Sequence, residues 1–344
     1  MEKESESHWI QGGQKLNSLL SVQNLTVSVP SAGKLIPVVD DISFNIKKGQ
    51  KLGLVGESGS GKSLTALAIM RLIKDPVQIK GGEIFLNDRE ILGLRLKEFR
   101  KIRGSEIAMI YQDPMSALNP IMKVGEQVVE SIRIRSDISK KEAKIRAIEL
   151  FDQVGITEPA KRFESFPFEM SGGMLQRIVI AIALSGDPKV LIADEATTAL
   201  DVTTQARVLS LIDKLADERG LAVLLITHDL GVAAQYSDEI MVMYSGKIVE
   251  KGSVQRIFSD PVHPYTVGLL NSRCDYTTDI SLPINSINGQ PPRPDNRPKG
   301  CVFEPRCEFV MDICRSDVPK ISVIRDRNVS CFGAGELDFR KVVN

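Results

Sequence analysis

Eight consecutive residues form a glycine-rich loop of the kind that binds phosphate groups. They match the pattern G-x-x-x-x-G-K-[ST] and lie between an apolar run at residues 51–55 and a helical run at residues 64–73. Glycines let successive backbone N–H groups turn towards phosphate oxygens, a lysine adds positive charge, and a serine hydroxyl can bind Mg²⁺. The loop predicts a site for a nucleoside triphosphate. It consists of Gly56, Glu57, Ser58, Gly59, Ser60, Gly61, Lys62 and Ser63.

Two carboxylates follow a second apolar run, at residues 190–193. Asp194, at the end of the predicted strand, can hold Mg²⁺ directly or through water. Glu195 comes next, where a carboxylate could polarise a water that attacks the γ-phosphate. An Asp-Glu pair at a strand end is by itself more often a helix cap or a surface feature. The phosphate loop, about 130 residues upstream, favours the catalytic interpretation here.

Compact apolar runs alternate with helical stretches, and this pattern predicts an α/β fold. The runs predict a mostly parallel sheet that is buried on both faces; they lie at residues 52–55, 107–111, 190–193 and 223–227. The alternating pattern of residues 19–48 predicts short strands, and residues 241–249 predict a closing hairpin. Residues 114–188 are almost entirely helical in pattern, which predicts a helical subdomain inserted into the core.

Composition excludes several classes of protein. Lysine and arginine number 44, as do aspartate and glutamate, so the formal net charge is zero and a broad nucleic-acid-binding surface is not expected. No apolar run approaches the roughly 18 residues of a membrane span, and the polar start of the chain does not resemble an export signal. We therefore expect a cytosolic protein whose cysteines are thiols or metal ligands.

One segment indicates which class of phosphate-loop protein this is: Ser171-Gly172-Gly173-Met174-Leu175-Gln176-Arg177. It resembles the signature sequence of the ATP-binding cassette (ABC) family, which small GTPases and kinases lack. Gln112 resembles the Q-loop of that family, Ala199-Leu200-Asp201 its D-loop, and His228 its switch histidine. The resemblance spans roughly residues 19–260. It implies a P-loop ABC ATPase core with an antiparallel β subdomain and a helical subdomain at about residues 114–188.

The resemblance also implies a role for each motif. The loop binds ATP, with Gln112 beside it; Ser63, Gln112 and Asp194 arrange Mg²⁺; Glu195 acts as general base and His228 contacts the γ-phosphate region. Two cassettes pair head to tail in this family. Ser171, Gly172, Gly173 and Gln176 therefore act on the partner's ATP, and Asp201 lies at the dimer interface.

Two positions depart from the family pattern. Ala196 stands where family members usually have proline after the catalytic glutamate. This difference predicts a less rigid turn but removes no reacting group. Val29 and Pro30 occupy the region where an aromatic side chain usually stacks on adenine. The sequence therefore leaves open what contacts the base.

Composition changes after about residue 260, so we expect a polar tail at residues 1–18, one nucleotide-binding unit at 19–260 and a proline-rich C-terminal region at 261–344. Cys301, Cys307, Cys314 and Cys331 are separated by five, six and sixteen residues. Four thiolates can hold a [4Fe–4S] cluster or a zinc ion, and plain thiols are the third possibility. Resemblance to dipeptide and oligopeptide importer subunits favours the cluster.

The resemblance implies an ATP-hydrolysing subunit that energises import of dipeptides or oligopeptides. Its partners would be a second, related ABC ATPase, two transmembrane permease subunits and an extracytoplasmic solute-binding protein, with no nucleic acid. The chain would then lie peripherally on the cytoplasmic face of the cell membrane. Import of nickel or another small solute is the alternative. A soluble ABC ATPase acting on nucleic acid and a non-hydrolysing regulatory nucleotide binder fit less well.

Overall fold

The computed structural model describes residues 18–31, 33–197, 200–272 and 287–337. The predicted polar tail, apart from its last residue, and Ala199 of the D-loop motif lie outside these ranges.

Twelve strands and twelve α-helices form the described part of the chain. The strands are β1 (Ser18–Ser31), β2 (Lys34–Lys47), β3 (Lys51–Val55), β4 (Gln78–Leu86), β5 (Arg89–Glu90), β6 (Ile107–Ile110), β7 (Val190–Asp194), β8 (Ala222–Thr227), β9 (Glu239–Tyr244), β10 (Lys247–Ser253), β11 (Ser322–Ile324) and β12 (Arg327–Val329). The helices are α1 (Lys62–Ile69), α2 (Leu96–Ile102), α3 (Pro114–Ala117), α4 (Val124–Arg135), α5 (Lys140–Gln153), α6 (Pro159–Arg162), α7 (Gly172–Leu184), α8 (Val202–Arg219), α9 (Leu230–Tyr236), α10 (Val254–Ser259), α11 (Pro264–Asn271) and α12 (Asp312–Ser316).

The larger sheet positions the phosphate loop and the two carboxylates. Its order is β11-β12-β10-β9-β3-β8-β7-β6, and the strands from β9 to β6 run parallel. Every residue of β7 and β8 is buried, as expected for strands covered on both faces. Val55 is paired with Thr227, and Asp194 with Ile226. The carboxyl ends of β3, β7 and β8 therefore meet at one edge, where ligands of open α/β sheets bind.

The smaller sheet is antiparallel, in the order β2-β1-β4-β5. Its apolar side chains, among them Leu20 and Phe44, pack with α1 against one face of the larger sheet. The sequence pattern predicted several short strands, whereas β1 and β2 each span 14 residues. Register shifts along this pair, one of them between Val22 and Leu25, explain the difference, because each irregularity interrupts the alternation of apolar and polar residues.

Helices α3 to α7 form the insert between β6 and β7. Helix α5 begins at a capping box, in which Ser139 and Glu142 each accept a backbone N–H. Its buried face includes Ala147 and Phe151, which pack with residues of α4 and α7. Helix α7 also contacts the second face of the larger sheet, so the insert shares one core with β7 and β8.

The C-terminal residues pack on the α/β core and extend its sheet. Strands β9 and β10 form a hairpin whose turn, Ser245-Gly246, has positive φ angles of 45° and 85°. Strand β12 pairs antiparallel with β10, and β11 pairs with β12. Tyr244, Tyr265 and Phe303 form a buried aromatic cluster, with ring centroids 4.6 to 5.4 Å apart. Core and C-terminal side chains therefore share a hydrophobic cluster.

Candidate active site

The phosphate loop connects β3 to the start of α1. Gly61 has a φ of +108° immediately before the helix, a backbone conformation that favours glycine. A Cβ at Gly56 would lie 2.1 Å from the carbonyl oxygen of Met243, so this position has no room for a side chain. The Nζ atom of Lys62 donates to the carbonyl oxygens of Gly56 (2.8 Å) and Glu57 (3.0 Å). Burial lowers the pKa of the Lys62 ammonium.

Ser63 and Asp194 bring two oxygen ligands together. The hydroxyl of Ser63 donates to Oδ1 of Asp194 at 3.0 Å, although the residues are far apart in sequence. Asp194 is 7% exposed, and this burial raises the pKa of its carboxyl group. One hydroxyl and one carboxylate at the start of a phosphate-binding helix fit the oxygen coordination that Mg²⁺ requires. The structure thus brings these two predicted Mg²⁺ ligands into contact.

Glu195 lies between Gln112 and His228, the residues that resemble the Q-loop glutamine and the switch histidine. Its Oε2 accepts from Nε2 of Gln112 at 3.1 Å, and its Oε1 is 3.4 Å from Nδ1 of His228. The backbone of Glu195 has a φ of +45°, which non-glycine residues rarely adopt. Such local strain is concentrated at functional sites. Ala196, which follows, is buried at 3% exposure.

An open cavity of about 280 Å³ lies between these groups. Its lining residues are Val38, Ser58, Gly59, Gly61, Lys62, Ser63, Leu64, Gln112 and Glu195. Most of the loop residues predicted to bind ATP therefore share one cavity with the carboxylate predicted to act as base. Val29 and Pro30 do not line it, and Val38 contributes an apolar wall instead.

The signature residues lie at the start of α7 and do not line this cavity. The Ser171 hydroxyl accepts from the backbone N–H of Met174 at 3.4 Å and so caps the helix. Ser171 and Gly172 are exposed, and a Cβ at Gly173 would lie 2.7 Å from Thr204. Gln176 differs from them because it is only 1% exposed. Its predicted contact with a partner's nucleotide stays a prediction.

Asp201 begins α8 as its N-cap. Its Oδ1 accepts from the backbone N–H of Thr204 at 3.0 Å, and this hydrogen bond lowers the pKa of the Asp201 carboxyl group. The adjacent Val202 is 83% exposed, so this helix start presents an apolar side chain to solvent.

Comparisons with known proteins agree with this geometry. Residues 39–198 match the family described as ABC transporter, and residues 249–314 match the family described as oligopeptide/dipeptide transporter, C-terminal region. The oligopeptide transport ATP-binding protein AppD of Bacillus subtilis is 45% identical over 319 residues, covering 92% of this chain and 97% of that protein. The chain belongs to the ABC transporter ATP-binding proteins, in the group of the oligopeptide and dipeptide transporters.

Another relative and a solved structure of an ABC cassette confirm the predicted fold class. The oligopeptide transport ATP-binding protein OppD of Escherichia coli K12 is 44% identical over 321 residues, covering 93% of this chain and 94% of that protein. An ATP-binding cassette solved as a dimer, in a post-hydrolysis state with ADP and phosphate, has a TM-score of 0.61 and 29% identity. It covers 68% of this chain and 98% of its own length. As an ABC cassette, the chain uses ATP and Mg²⁺.

The prediction of an iron–sulfur cluster in this ABC protein is wrong. Cys301, Cys307, Cys314 and Cys331 are free cysteines, and the residues that the structure describes contain no group of three or more His, Cys, Asp or Glu that could hold a metal ion. The four side chains line one small cavity that is almost entirely apolar. Burial there raises the pKa of Cys307 to about 11 and that of Cys331 to about 12. Burial therefore disfavours the thiolate form that binds metals, which agrees with the plain-thiol alternative.

Of the helices within the described ranges, none is long and apolar enough to cross a membrane.

Sequence reasoning missed three side chains around the nucleotide cavity of this ABC protein. Val38 lines the cavity, Tyr265 accepts a hydrogen bond from the backbone of Glu57, and Arg306 pairs with the Glu57 carboxylate. In the sequence, Val38 is only one apolar position in the alternating pattern of a strand, and nothing in that pattern indicates a nucleotide contact. Arg306 lies 249 residues from its partner, so no local pattern could have indicated the contact.

Proposed function

We propose that this chain is the ATP-hydrolysing subunit that energises import of oligopeptides or dipeptides through a membrane ABC transporter. The match of its C-terminal region to oligopeptide/dipeptide transporters supports peptides over nickel as the cargo. The names of the relatives, oligopeptide transport ATP-binding proteins, support the same cargo.

The position of Glu195 is the observation that carries the proposed hydrolysis. Its carboxylate contacts Gln112 and His228 at the wall of the cavity that the phosphate loop forms. We assign it the role of general base, which takes a proton from the attacking water. The water oxygen then bonds to the γ-phosphorus, and the bond from that phosphorus to the β–γ bridging oxygen breaks. The products are ADP and phosphate.

The other residues hold the triphosphate for this step. Lys62 and the loop amides would bind its phosphate oxygens, and Ser63, Asp194 and Gln112 would hold Mg²⁺. Mg²⁺ would neutralise negative charge on the triphosphate when it is bound. His228 orients the attacking water and contacts the γ-phosphate region.

We also propose that the site is completed by a second chain. Ser171 and Gly172 are exposed at a helix start outside the cavity, so they are free to bind the nucleotide of a partner. Asp201, at the start of α8, would lie at the same interface. The partner would be a second, related ABC ATPase. ATP between the two chains would close them, and hydrolysis would release the closed state.

The remaining partners are two transmembrane permease subunits and an extracytoplasmic solute-binding protein. The chain would lie peripherally on the cytoplasmic face of the membrane. In this proposal residues 19–260 form the nucleotide-binding domain, residues 114–188 its helical subdomain, and residues 261–344 an attached C-terminal region.

Replacement of Glu195 by glutamine tests the proposed reaction. In the complex assembled with the permease subunits, we expect Glu195→Gln to lower the rate of ATP hydrolysis at least about 100-fold while ATP still binds. Glu106→Gln is the matched control, because Glu106 pairs with Lys189 at 3.1 Å and does not line the cavity. Hydrolysis at the wild-type rate in Glu195→Gln would remove Glu195 from its role.

Uptake into vesicles that carry the complex tests the cargo. Labelled tripeptide should accumulate inside only with ATP, and nickel should not. Accumulation of nickel but not of peptide would contradict the proposed substrate.

A further inference from the structure

An arginine of the C-terminal region binds the phosphate loop. Arg306 ends a short 3₁₀ turn, Glu304–Arg306, directly before Cys307. Its Nη1 atom donates to both carboxylate oxygens of Glu57, at 3.0 Å each. The Arg306 side chain is 5% exposed and that of Glu57 is 27% exposed. This ion pair is therefore less screened by solvent than a surface pair.

Arg306 is fixed by contacts on its other sides. Its Nε donates to the carbonyl of Asn288 at 2.9 Å, and Nη2 donates to the carbonyl of Ile287 at 3.2 Å. The guanidinium also lies over the ring of Tyr244, 5.7 Å from its centroid. Because these contacts already hold the side chain, little conformational entropy is lost when it binds Glu57.

The backbone of Glu57 is held as well as its carboxylate. Its N–H donates to the hydroxyl of Tyr265 at 3.0 Å, and its carbonyl accepts from Lys62 at 3.0 Å. Tyr265 is fully buried and packs against Tyr244 and Phe303. The first variable residue of the phosphate loop thus has two contacts with side chains that follow residue 260.

A second arginine, Arg297, contacts the backbone of a residue that lines the nucleotide cavity. Nη2 of Arg297 donates to the carbonyl of Val38 at 3.3 Å, and Nη1 lies 3.5 Å from Oδ2 of Asp40. Val38 lines the nucleotide cavity. The C-terminal region therefore contacts both the phosphate loop and the strand that forms the apolar wall.

We propose that the C-terminal region pre-organises the ATP site, with Arg306 and Tyr265 as positioning residues for the phosphate loop. The proposal rests on the proposed function, because it concerns the same site. A loop that is held in its binding conformation before ATP arrives does not have to be ordered on binding. Loss of the anchors should therefore weaken ATP binding and leave turnover at saturating ATP nearly unchanged.

ATP binding to the full-length chain tests this proposal, with a fluorescent ATP analogue and Mg²⁺ as the probe. We expect Arg306→Gln to raise Kd about tenfold, because it removes charge-assisted hydrogen bonds. Arg315→Gln is the matched control. Arg315 is an exposed arginine of the same region that pairs with Glu304 at 3.6 Å, so its variant should bind with the wild-type Kd. In the assembled complex, KM for ATP should rise with Arg306→Gln and kcat should stay within about twofold.

Two further variants separate positioning from folding. Tyr265→Phe keeps the packed ring and removes only the hydroxyl, so we expect Kd to rise several-fold. The double variant Glu57→Gln/Arg306→Gln should bind ATP no more weakly than the weaker-binding of the two single variants. Both substitutions remove the same interaction, the ion pair between Glu57 and Arg306. If circular dichroism shows that Arg306→Gln does not fold, Tyr265→Phe decides the question.

The proposal is overturned if the folded variants bind ATP with the wild-type Kd. A lower kcat at unchanged KM would overturn it as well. A wild-type chain that binds no ATP would instead refute the proposed function, so the two failures are distinguishable.

Discussion

Lys62 is the buried cation of the phosphate loop, and its present contacts are carbonyl oxygens of that loop. Burial disfavours its charged form and so lowers its pKa, and an anion between the loop amides and the ammonium would restore favourable electrostatics. Phosphate oxygens are therefore suited to this position.

Lys62→Ala should raise the Kd for ATP about 100-fold, since charge-assisted hydrogen bonds contribute about 1.5–3 kcal/mol each. Equilibrium binding to the full-length chain measures this change. Lys189→Ala removes an exposed lysine paired with Glu106 and should leave Kd unchanged. An unchanged Kd in Lys62→Ala would show that the loop does not hold the triphosphate.

The site residues with short-range motifs could be predicted from the sequence, and their contacts could not. Gln112, Glu195 and His228 each lie in a recognisable sequence motif. Only the structure shows that the Glu195 carboxylate contacts both Gln112 and His228. The positive φ of Glu195 likewise depends on tertiary packing. The cluster was predicted wrongly because neither the cysteine spacing nor the resemblance to importer subunits carries information on how deeply each thiol is buried.

At the scale of elements, strand β12 attaches the C-terminal hairpin to the core through Arg327. This side chain is fully buried, donates to Asp260 at 2.9 Å and to the carbonyl of Arg256 at 3.1 Å, and lies 3.9 Å from the buried carboxylate of Glu250. A buried ion pair is costly to break from one side, because the remaining charge stays desolvated.

Arg327→Met should lower the free energy of unfolding by about 3–5 kcal/mol, because Glu250 loses its cationic partner inside the protein. Arg325→Met is the matched comparison: Arg325 binds the same Asp260 at 3.1 Å but is 52% exposed, so we expect a loss of at most about 1 kcal/mol. Urea unfolding of both variants measures the difference. Equal losses would contradict the importance of burial here.

Helix α11 begins at His263, a buried N-cap whose Nδ1 accepts from the N–H of Tyr265 at 3.0 Å. Burial lowers the pKa of His263 to about 3. In the unfolded chain its pKa is about 6.5, so below that pH the unfolded state binds a proton that the folded state does not. Stability should therefore fall as pH decreases from about 6.5 towards about 3.

His263→Asn keeps a side-chain acceptor at the N-cap and removes the titrating ring. The free energy of unfolding should decrease less steeply with falling pH in this variant, by up to about 1.4 kcal/mol per pH unit. Urea unfolding at pH 6.5, 5.5 and 4.5 measures the two slopes. The difference between wild type and variant isolates His263 from Glu250 and other carboxyl groups. Parallel slopes would exclude His263 as the cause.

Sequence periodicity predicted whether a segment is a helix or a strand more accurately than it predicted the length of that helix or strand. The strands at the four predicted apolar runs stand where the pattern placed them, and α5 and α7 lie within the predicted helical stretch at residues 114–188. The two long antiparallel strands did not appear as such, because bulges shift the alternating pattern. The pairing of β12 with β10 joins segments about 80 residues apart, which periodicity alone cannot indicate.

At the scale of the whole molecule, the helix starts at the phosphate loop and at Ser171 are the two that we propose bind ATP phosphates. Only the first lines the nucleotide cavity of the described chain. The sequence predicts that both contact ATP, and the geometry shows that they do not share a cavity. The central claim is therefore that two chains together form each hydrolytic site.

The most direct test of this claim is the rate of ATP hydrolysis per chain, measured against chain concentration with sedimentation in parallel. We predict that the rate per chain falls towards zero as dilution separates the chains, and that Ser171→Arg abolishes hydrolysis while ATP binding persists. A rate per chain that stays constant at concentrations where only monomers sediment would contradict the account.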